Sequence, residues 1–130
     1  MKICVISDTH GSDAAIRRAL NAADGADCFI HLGDNVRDAR SIEAVTQKTV
    51  YSVRGNCDMA SEAEDERVLT LCGARLFITH GHRYGVSSST TRLACRGEEL
   101  CCGAALFGHT HMSLVEAWGP LLLINPGSPA

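Results

Sequence analysis

Residues 1–12 read MKICVISDTHGS. Lys2 to Ser7 is a short, branched, nearly continuous apolar run, the composition of a strand covered on both faces, and Asp8-Thr9-His10-Gly11 interrupts it. Ser12 or Asp13 can then cap a helix whose Ala15, Ile16, Ala19, Leu20 and Ala23 share one face, with Gly25 at its end. A strand returns at Cys28 to Leu32. Strand, polar loop, helix and strand make the repeating unit of an α/β sheet, so this opening sets the fold class.

The alternation continues with a weaker helical pattern around Ala39 to Val45, a strand at Thr49 to Val53 and a polar loop from Asn56 to Glu66. Arg67 to Leu71 and Arg75 to Thr79 have the spacing of a hairpin, which predicts a locally antiparallel part. Ser87 to Leu100 is the third predicted helix, despite its Ser/Thr-rich start and Gly97. A strand follows at Gly103 to Phe107, and a last hairpin at Val115 to Trp118 and Leu121 to Ile124 turns at Gly119-Pro120. No repeat or linker interrupts the 130 residues, which predicts one domain.

The net charge of −3 comes from scattered acidic and basic residues, without a basic run that would follow a phosphate backbone. Duplex nucleic acid is therefore a poor partner. Seven cysteines include no C-x-x-C pair, and reduced thiols packed as small core residues are the expectation for all but Cys57. The apolar opening is too short for a signal peptide or a membrane span, which predicts a cytoplasmic protein without membrane attachment.

The polar residues that can hold a metal all fall just past the C-terminal end of a predicted strand. KICVIS runs into Asp8 and His10, CFIHLG into Asp34, VYSVRG into Asn56, RLFIT into His80, and AALFG into His109 and His111. In α/β sheets that rim is where ligands bind, so residues distant in sequence meet there. Two aspartates, one asparagine and four histidines exceed what one ion takes, and imply two. Oxygen and imidazole donors without thiolate suit Mn²⁺, Fe²⁺, Co²⁺, Ni²⁺ or Zn²⁺, with manganese the first expectation. A carboxylate such as Asp34 can bridge two cations roughly 3.5–4 Å apart.

In order, D-x-H at Asp8 to His10, Gly33-Asp34, Gly55-Asn56, His80 and the GHTH of Gly108 to His111 resemble the calcineurin-like metallophosphoesterase superfamily. The GNCD, HGH and NPGS segments resemble its small bacterial and archaeal phosphodiesterase branch. The resemblance implies two facing mixed β-sheets flanked by helices. It implies that Asp8, His10, Asp34 and His111 hold one ion, and Asp34, Asn56, His80 and His109 the other. It further implies hydrolysis of small phosphodiesters, or of monoesters, by a metal-bridging hydroxide in line with the leaving group. Asp34 and Asn56 are then central to catalysis, Asn56 both as ligand and as amide donor to a phosphate oxygen.

Two features depart from that pattern. Many members carry, after the G-N pair, a histidine held to protonate the leaving oxygen, and here that residue is Cys57, whose thiol is a poor match for the task. Good leaving groups, or protonation by solvent or His82, are expected instead. The chain also stops at NPGSPA where relatives continue, which predicts a shortened C-terminal part, an apolar strand near an edge, and either pairing into a homo-oligomer or reduced stability.

Blander readings stand beside these. Asp8 and Asp34 can each serve as helix caps, and His109 and His111 as turn histidines, but their joint occurrence favours the metal reading. His31 reads as a buried, hydrogen-bonded histidine. His82 can lie behind the ligands, face substrate or face solvent, Asp58 can orient a neighbour, and Arg54 can pair with an acid or reach phosphate. Asn125 to Ser128 reads as a tight turn near the site. Substrate choice falls to the loops Asn35 to Arg40, Met59 to Glu66 and Arg83 to Ser89. The rival function is a protein-interaction scaffold, since the retromer subunit is similar in architecture and serves mainly as an interaction module. A single structural zinc would want paired thiolates and does not fit.

Overall fold

The computed structural model describes residues 1–58 and 63–129. Strand β1 (Ile3–Ile6) leads to helix α1 (Asp13–Ala22), β2 (Cys28–His31), α2 (Arg37–Thr46) and β3 (Val50–Ser52). These strands form a three-stranded sheet in the order β1-β2-β3, parallel throughout, whereas both sheets were expected to be mixed. Next come β4 (Glu66–Leu71), β5 (Ala74–Thr79), a 3₁₀ turn (His82–Tyr84), α3 (Thr91–Glu99), β6 (Ala104–Leu106), β7 (Leu114–Trp118) and β8 (Leu121–Asn125). They build a five-stranded sheet in the order β4-β5-β6-β8-β7, whose two outer pairs are antiparallel and inner pairs parallel.

The two sheets face each other across Ile30, Leu32 and Val53 on one side and Leu69, Ile78, Ala104 and Leu106 on the other. α1 and α2 cover the outer face of the smaller sheet through Ile16, Ala23 and Ile42, packed on Ile6 and Phe29. α3 covers the outer face of the larger sheet through Leu93 and Ala94, packed on Phe77, Ala105, Leu121 and Leu123. Apolar burial on both faces of each sheet is the dominant stabilising term in such a four-layer stack.

Local chemistry explains where the elements begin. Ser12 caps α1 by accepting a hydrogen bond from the Ala15 N–H at 3.2 Å, and Asp13 sits favourably in the first turn. α3 starts at Thr91, four residues after the predicted Ser87, because the Tyr84–Ser89 segment closes its own turns onto Gly81 and Gly85. Gly97 does not break that helix. A Cβ there would meet the Leu121 methyls at 3.1–3.2 Å, so glycine lets α3 lie close on β8. In β8, Leu121 and Leu123 are buried on the α3 side while Leu122 and Ile124 point to the other face, the alternation of a strand.

One expectation is refined and one corrected. β1 is covered on both faces, by the facing sheet over Ile3 and Val5 and by the helices over Cys4 and Ile6, but at the edge of its sheet Ile3 to Val5 stay half-buried. Cys72, Cys95 and Cys101 are exposed rather than core, Cys72 and Cys101 lying in turns at φ of 49° and 56°, and Cys95 on the outer side of α3. Of the proposed specificity loop Met59 to Glu66, residues 59–62 lie outside the described residues, as does Ala130. Among the described residues no helix is long and apolar enough to cross a membrane.

Phe77 is fully buried and sits between α3 and the larger sheet. Phe77→Ala is expected to destabilise the fold by about 3–5 kcal/mol, read as a lowered urea midpoint with little change in slope.

Candidate metal centre

The seven candidate ligands come together at one edge of the sandwich, each in the loop after a strand. Asp8 and His10 follow β1, Asp34 follows β2, Asn56 follows β3, His80 follows β5, and His109 and His111 follow β6. One atom from each of Asp8, His10, Asp34 and His111 lies within 4.8 Å of all the others. His10 Nε2 and His111 Nε2 are 3.2 Å apart, and His111 Nε2 is 3.2 Å from Asp8 Oδ1. Asp34 Oδ2 is 4.0 Å from His10 Nε2 and 3.4 Å from His80 Nε2, so it stands between this group and a second one. In the second group His80 Nε2 lies 3.0 Å from Asn56 Oδ1, and His109 Nδ1 lies 3.2 Å from both.

Hydrogen bonding fixes which atoms face the centre. The His80 Nδ1–H donates to the Leu32 carbonyl at 2.7 Å, which leaves the Nε2 lone pair directed at Asn56, Asp34 and Asp8. Asp8 Oδ2 accepts from the Ser7 hydroxyl at 2.6 Å and the His109 N–H at 3.1 Å, while Oδ1 is buried without a hydrogen bond and has the imidazole nitrogens of His111 and His80 nearby, at 3.2 and 3.8 Å. Asp34 Oδ1 accepts from the Cys57 N–H at 3.1 Å, and Oδ2 points inward. Burial works to raise Asp34, but the Cys57 N–H and the nearby His80 prevail and hold its carboxyl below the usual range. Burial, then the neighbouring His80, push His109 down, so its ring is neutral near pH 7 and keeps a lone pair. Acceptors converging without donors are what a cation requires, and the donor set fits divalent transition ions.

The ligand loops are strained. Asp8, His10, Asp34, His109 and His111 all take positive φ, between 50° and 70°. Such backbone persists only where the surroundings over-determine it. The motif glycines supply part of that constraint, because a Cβ on Gly55 would stand 2.2 Å from Asp34 Oδ1 and one on Gly108 would stand 2.0 Å from Ser7 Oγ. Neither position tolerates a side chain.

Behind the ligands stand several supports that residue identity alone hardly marks. Asp58 Oδ1 accepts from the N–H groups of Asn35 and Val36, and its Oδ2 accepts from that of Gly55, so one carboxylate ties the β2 loop to the β3 loop. It also satisfies the start of α2, which lacks a side-chain cap of its own. The Asn125 amide donates to the Gly108 carbonyl and to Thr110 Oγ1, and the Ser128 hydroxyl donates to the Asp8 carbonyl. The turn expected at Asn125 to Ser128 thus binds two ligand loops together. Ser7 had only its place beside Asp8 to mark it. His31 is buried, contacts Thr9 Oγ1 at 3.0 Å through Nε2 and accepts the Gly33 N–H through Nδ1. Neither Asp8 nor Asp34 caps a helix: Ser12 and Asp58 do that.

Of the other singled-out residues, Arg54 pairs with Asp65 at 2.7 Å. Cys57 is exposed at the rim, its thiol pushed up by desolvation and then by Asp34. The His82 ring lies 5.4 Å from that of His80 and 6.2 Å from that of His109, and its enclosed Nδ1 has no partner.

A family model for the calcineurin-like phosphoesterase superfamily domain matches residues 1–130. Probable metallophosphoesterase YsnB of Bacillus subtilis is 34% identical over 129 residues, covering 98% of this chain and 75% of that protein. Phosphodiesterase YfcE of Escherichia coli is 32% identical over 154 residues, covering 98% and 79%. The crystal structure of YfcE, described as a phosphoesterase, superposes with a TM-score of 0.72 at 28% identity, over 99% of this chain and 80% of that one. Wild-type Vps29 of Entamoeba histolytica, solved in complex with zinc, superposes with a TM-score of 0.83 at 22% identity, over 98% and 74%, a likeness of fold.

Asp8→Asn is expected to raise the melting temperature of metal-stripped protein, because it removes a buried charge that lacks a partner on one oxygen. The same substitution should abolish the further rise on adding Mn²⁺, as read by calorimetric melting. Gly108→Ala should lower both quantities.

Proposed function

The chain belongs to the calcineurin-like phosphoesterase superfamily, and from that premise we propose that it is a binuclear-metal phosphodiesterase acting on small phosphodiesters. The observation that carries this reading is the pair of adjoining acceptor clusters with Asp34 between them and Asp8 Oδ1 buried among imidazole nitrogens without a hydrogen bond. Asp8, His10, Asp34 and His111 would hold one divalent ion, and Asp34, Asn56, His80 and His109 the other, with manganese the first expectation. Such ions supply Lewis acidity toward a phosphoryl oxygen and bring the pKa of water near neutrality.

The chain's own residues do the positioning. Asn56 turns Oδ1 toward His80 and His109, which leaves its amide N–H groups to donate to a phosphoryl oxygen. Asp58 and Ser128 keep the ligand loops from relaxing when charge builds on the phosphorus.

Protonation of the leaving oxygen is the weak step. The Cys57 thiol is pushed up by desolvation and the Asp34 charge, so it holds its proton too firmly to release it readily. Burial, then His80 and His109, push His82 down, so near pH 7 it is not the imidazolium that could act as acid. Aryl phosphodiesters, whose leaving groups need no acid, should therefore turn over better than alkyl monoesters.

A second reading has an observation behind it. Val115, 71% exposed, and Leu122 lie on adjacent strands of one sheet face, opposite Ile124 and Ala117 in the pairing of β7 with β8. An uncovered apolar strip suits a protein-interaction scaffold.

Metal-stripped protein is expected to hydrolyse bis-p-nitrophenyl phosphate only after Mn²⁺ is added, with p-nitrophenyl phosphate slower and Asp34→Asn inactive. Silence with Mn²⁺, Ni²⁺, Co²⁺ and Zn²⁺ in folded protein would favour the scaffold. Cys57→His should raise turnover of alkyl esters relative to aryl ones, and an unchanged ratio would remove the leaving-group argument. Lowering the pH from about 8 to about 5.5 should weaken Mn²⁺ binding, since protons compete for the imidazole lone pairs while the Asp34 carboxylate stays ionised.

A further inference from the structure

A groove of about 230 Å³ opens beside the metal centre and shares Asn56 with it. Its other side chains include Arg54, Asp58, Asp65, His82 and Arg83, and it has no aliphatic or benzenoid side chain among the described residues. Its described side chains offer no surface on which an acyl chain or a nucleobase would bury apolar area.

The two arginines and two aspartates of the groove balance formally but are unevenly placed. Asp58 is committed to three backbone N–H groups. Asp65 is shared by two guanidiniums: Arg54 holds it through Nε at 2.7 Å and Nη2 at 3.4 Å, and Arg83 reaches it through Nη1 alone at 3.3 Å. Around Asp65 two cations meet one carboxylate, while Asp58 is turned to the backbone, so the excess there is local and positive. Arg83 carries it, since its side chain is 61% exposed and, among the described residues, has no other partner for its remaining N–H donors. A guanidinium with free donors in a fork is suited to binding a planar or tetrahedral oxyanion by two hydrogen bonds.

We propose that this groove is a subsite for a second oxyanion, a carboxylate or phosphate carried on one ester arm a few bonds from the reacting phosphorus, with Arg83 as its principal ligand. The inference rests on the phosphodiesterase reading for the first anion and narrows its substrate class to diesters with an acidic arm. Arg54, bidentate on Asp65, holds that carboxylate in place so that Arg83 is positioned without being neutralised.

The test is calorimetric binding to the Mn²⁺-loaded protein and does not depend on turnover. Phosphonopropionate and phosphonobutyrate are compared with propylphosphonate and butylphosphonate, which match them in length and lack the second anion. At one of the two lengths the carboxylated ligand should bind about ten-fold more tightly or better. In Arg83→Gln that ratio should fall to about one, and Arg83→Lys should recover part of it. Exposure of Arg83 makes both variants compatible with folding, which a melting curve checks. Equal affinities at both lengths, or a preference that survives in Arg83→Gln, overturn the subsite while binding of the alkylphosphonates upholds the metal-centred reading. Absence of binding by all four ligands overturns both.

Discussion

Everything at the rim of this fold depends on one electrostatic constraint: two buried carboxylates and several imidazole lone pairs are held within a few ångströms of each other. Asp8 Oδ1, Asp34 Oδ2 and His80 Nε2 converge, and among the described residues Asp8 Oδ1 accepts no hydrogen bond, its near neighbours being imidazole nitrogens. In a site of reduced dielectric such an arrangement is costly, and the folded chain bears the cost only because packing elsewhere outweighs it. The remaining features of the rim are means of keeping these atoms where mutual repulsion would disperse them.

Three kinds of restraint do so, from different parts of the chain. Left-handed backbone at Asp8, His10, Asp34, His109 and His111 aims the side chains inward, and glycines at 55 and 108 let the loops approach closer than a methyl group would allow. Carboxylate and amide bridges then cross between loops: Asp58 joins the loops after β2 and β3, while Asn125 and Ser128 tie the segment after β8 to those after β6 and β1. Because the sheets are packed on both faces, these loops are anchored on rigid strand ends. Local strain therefore resists relaxation, as preorganised sites require.

How much of this the sequence disclosed follows from the range of each interaction. Strand ends and the ligand order were legible because a short branched apolar run stopped by Asp, Asn or His is a local signal, and it recurred at KICVIS, CFIHLG, VYSVRG, RLFIT and AALFG. The pairing of Asp58 with the N–H groups of Asn35 and Val36 was not legible, because backbone donors leave no trace in residue identity. Gly97 read as a weakness in α3 since its benefit, contact with Leu121 of β8, is visible only when the layers are stacked. The exposure of Cys72 and Cys101 was missed because turn geometry, rather than residue type, put them outside. The half-burial of β1 was missed for a similar reason: a fully apolar strand reads alike at the centre of a sheet and at its edge.

The groove lined by Arg83 bears on how such a centre selects among esters. Metal ligands grip the phosphoryl group common to every candidate substrate, so they contribute uniform binding and little discrimination. Discrimination must come from groups that meet only one arm of the ester. On the Asn56 side those groups are, among the described residues, charged and hydrophilic, with Asp65 held by Arg54 and Arg83 left with donors to spare. An apolar arm would lose water there without gaining contact area, whereas an anionic arm would exchange its hydration for a guanidinium. The same asymmetry separates the two functional readings in space. The polar groove adjoins the ligand cluster, while the uncovered apolar strip of Val115 and Leu122 lies on the β7–β8 pair, so a partner seated on that strip need not displace a substrate held at Asn56.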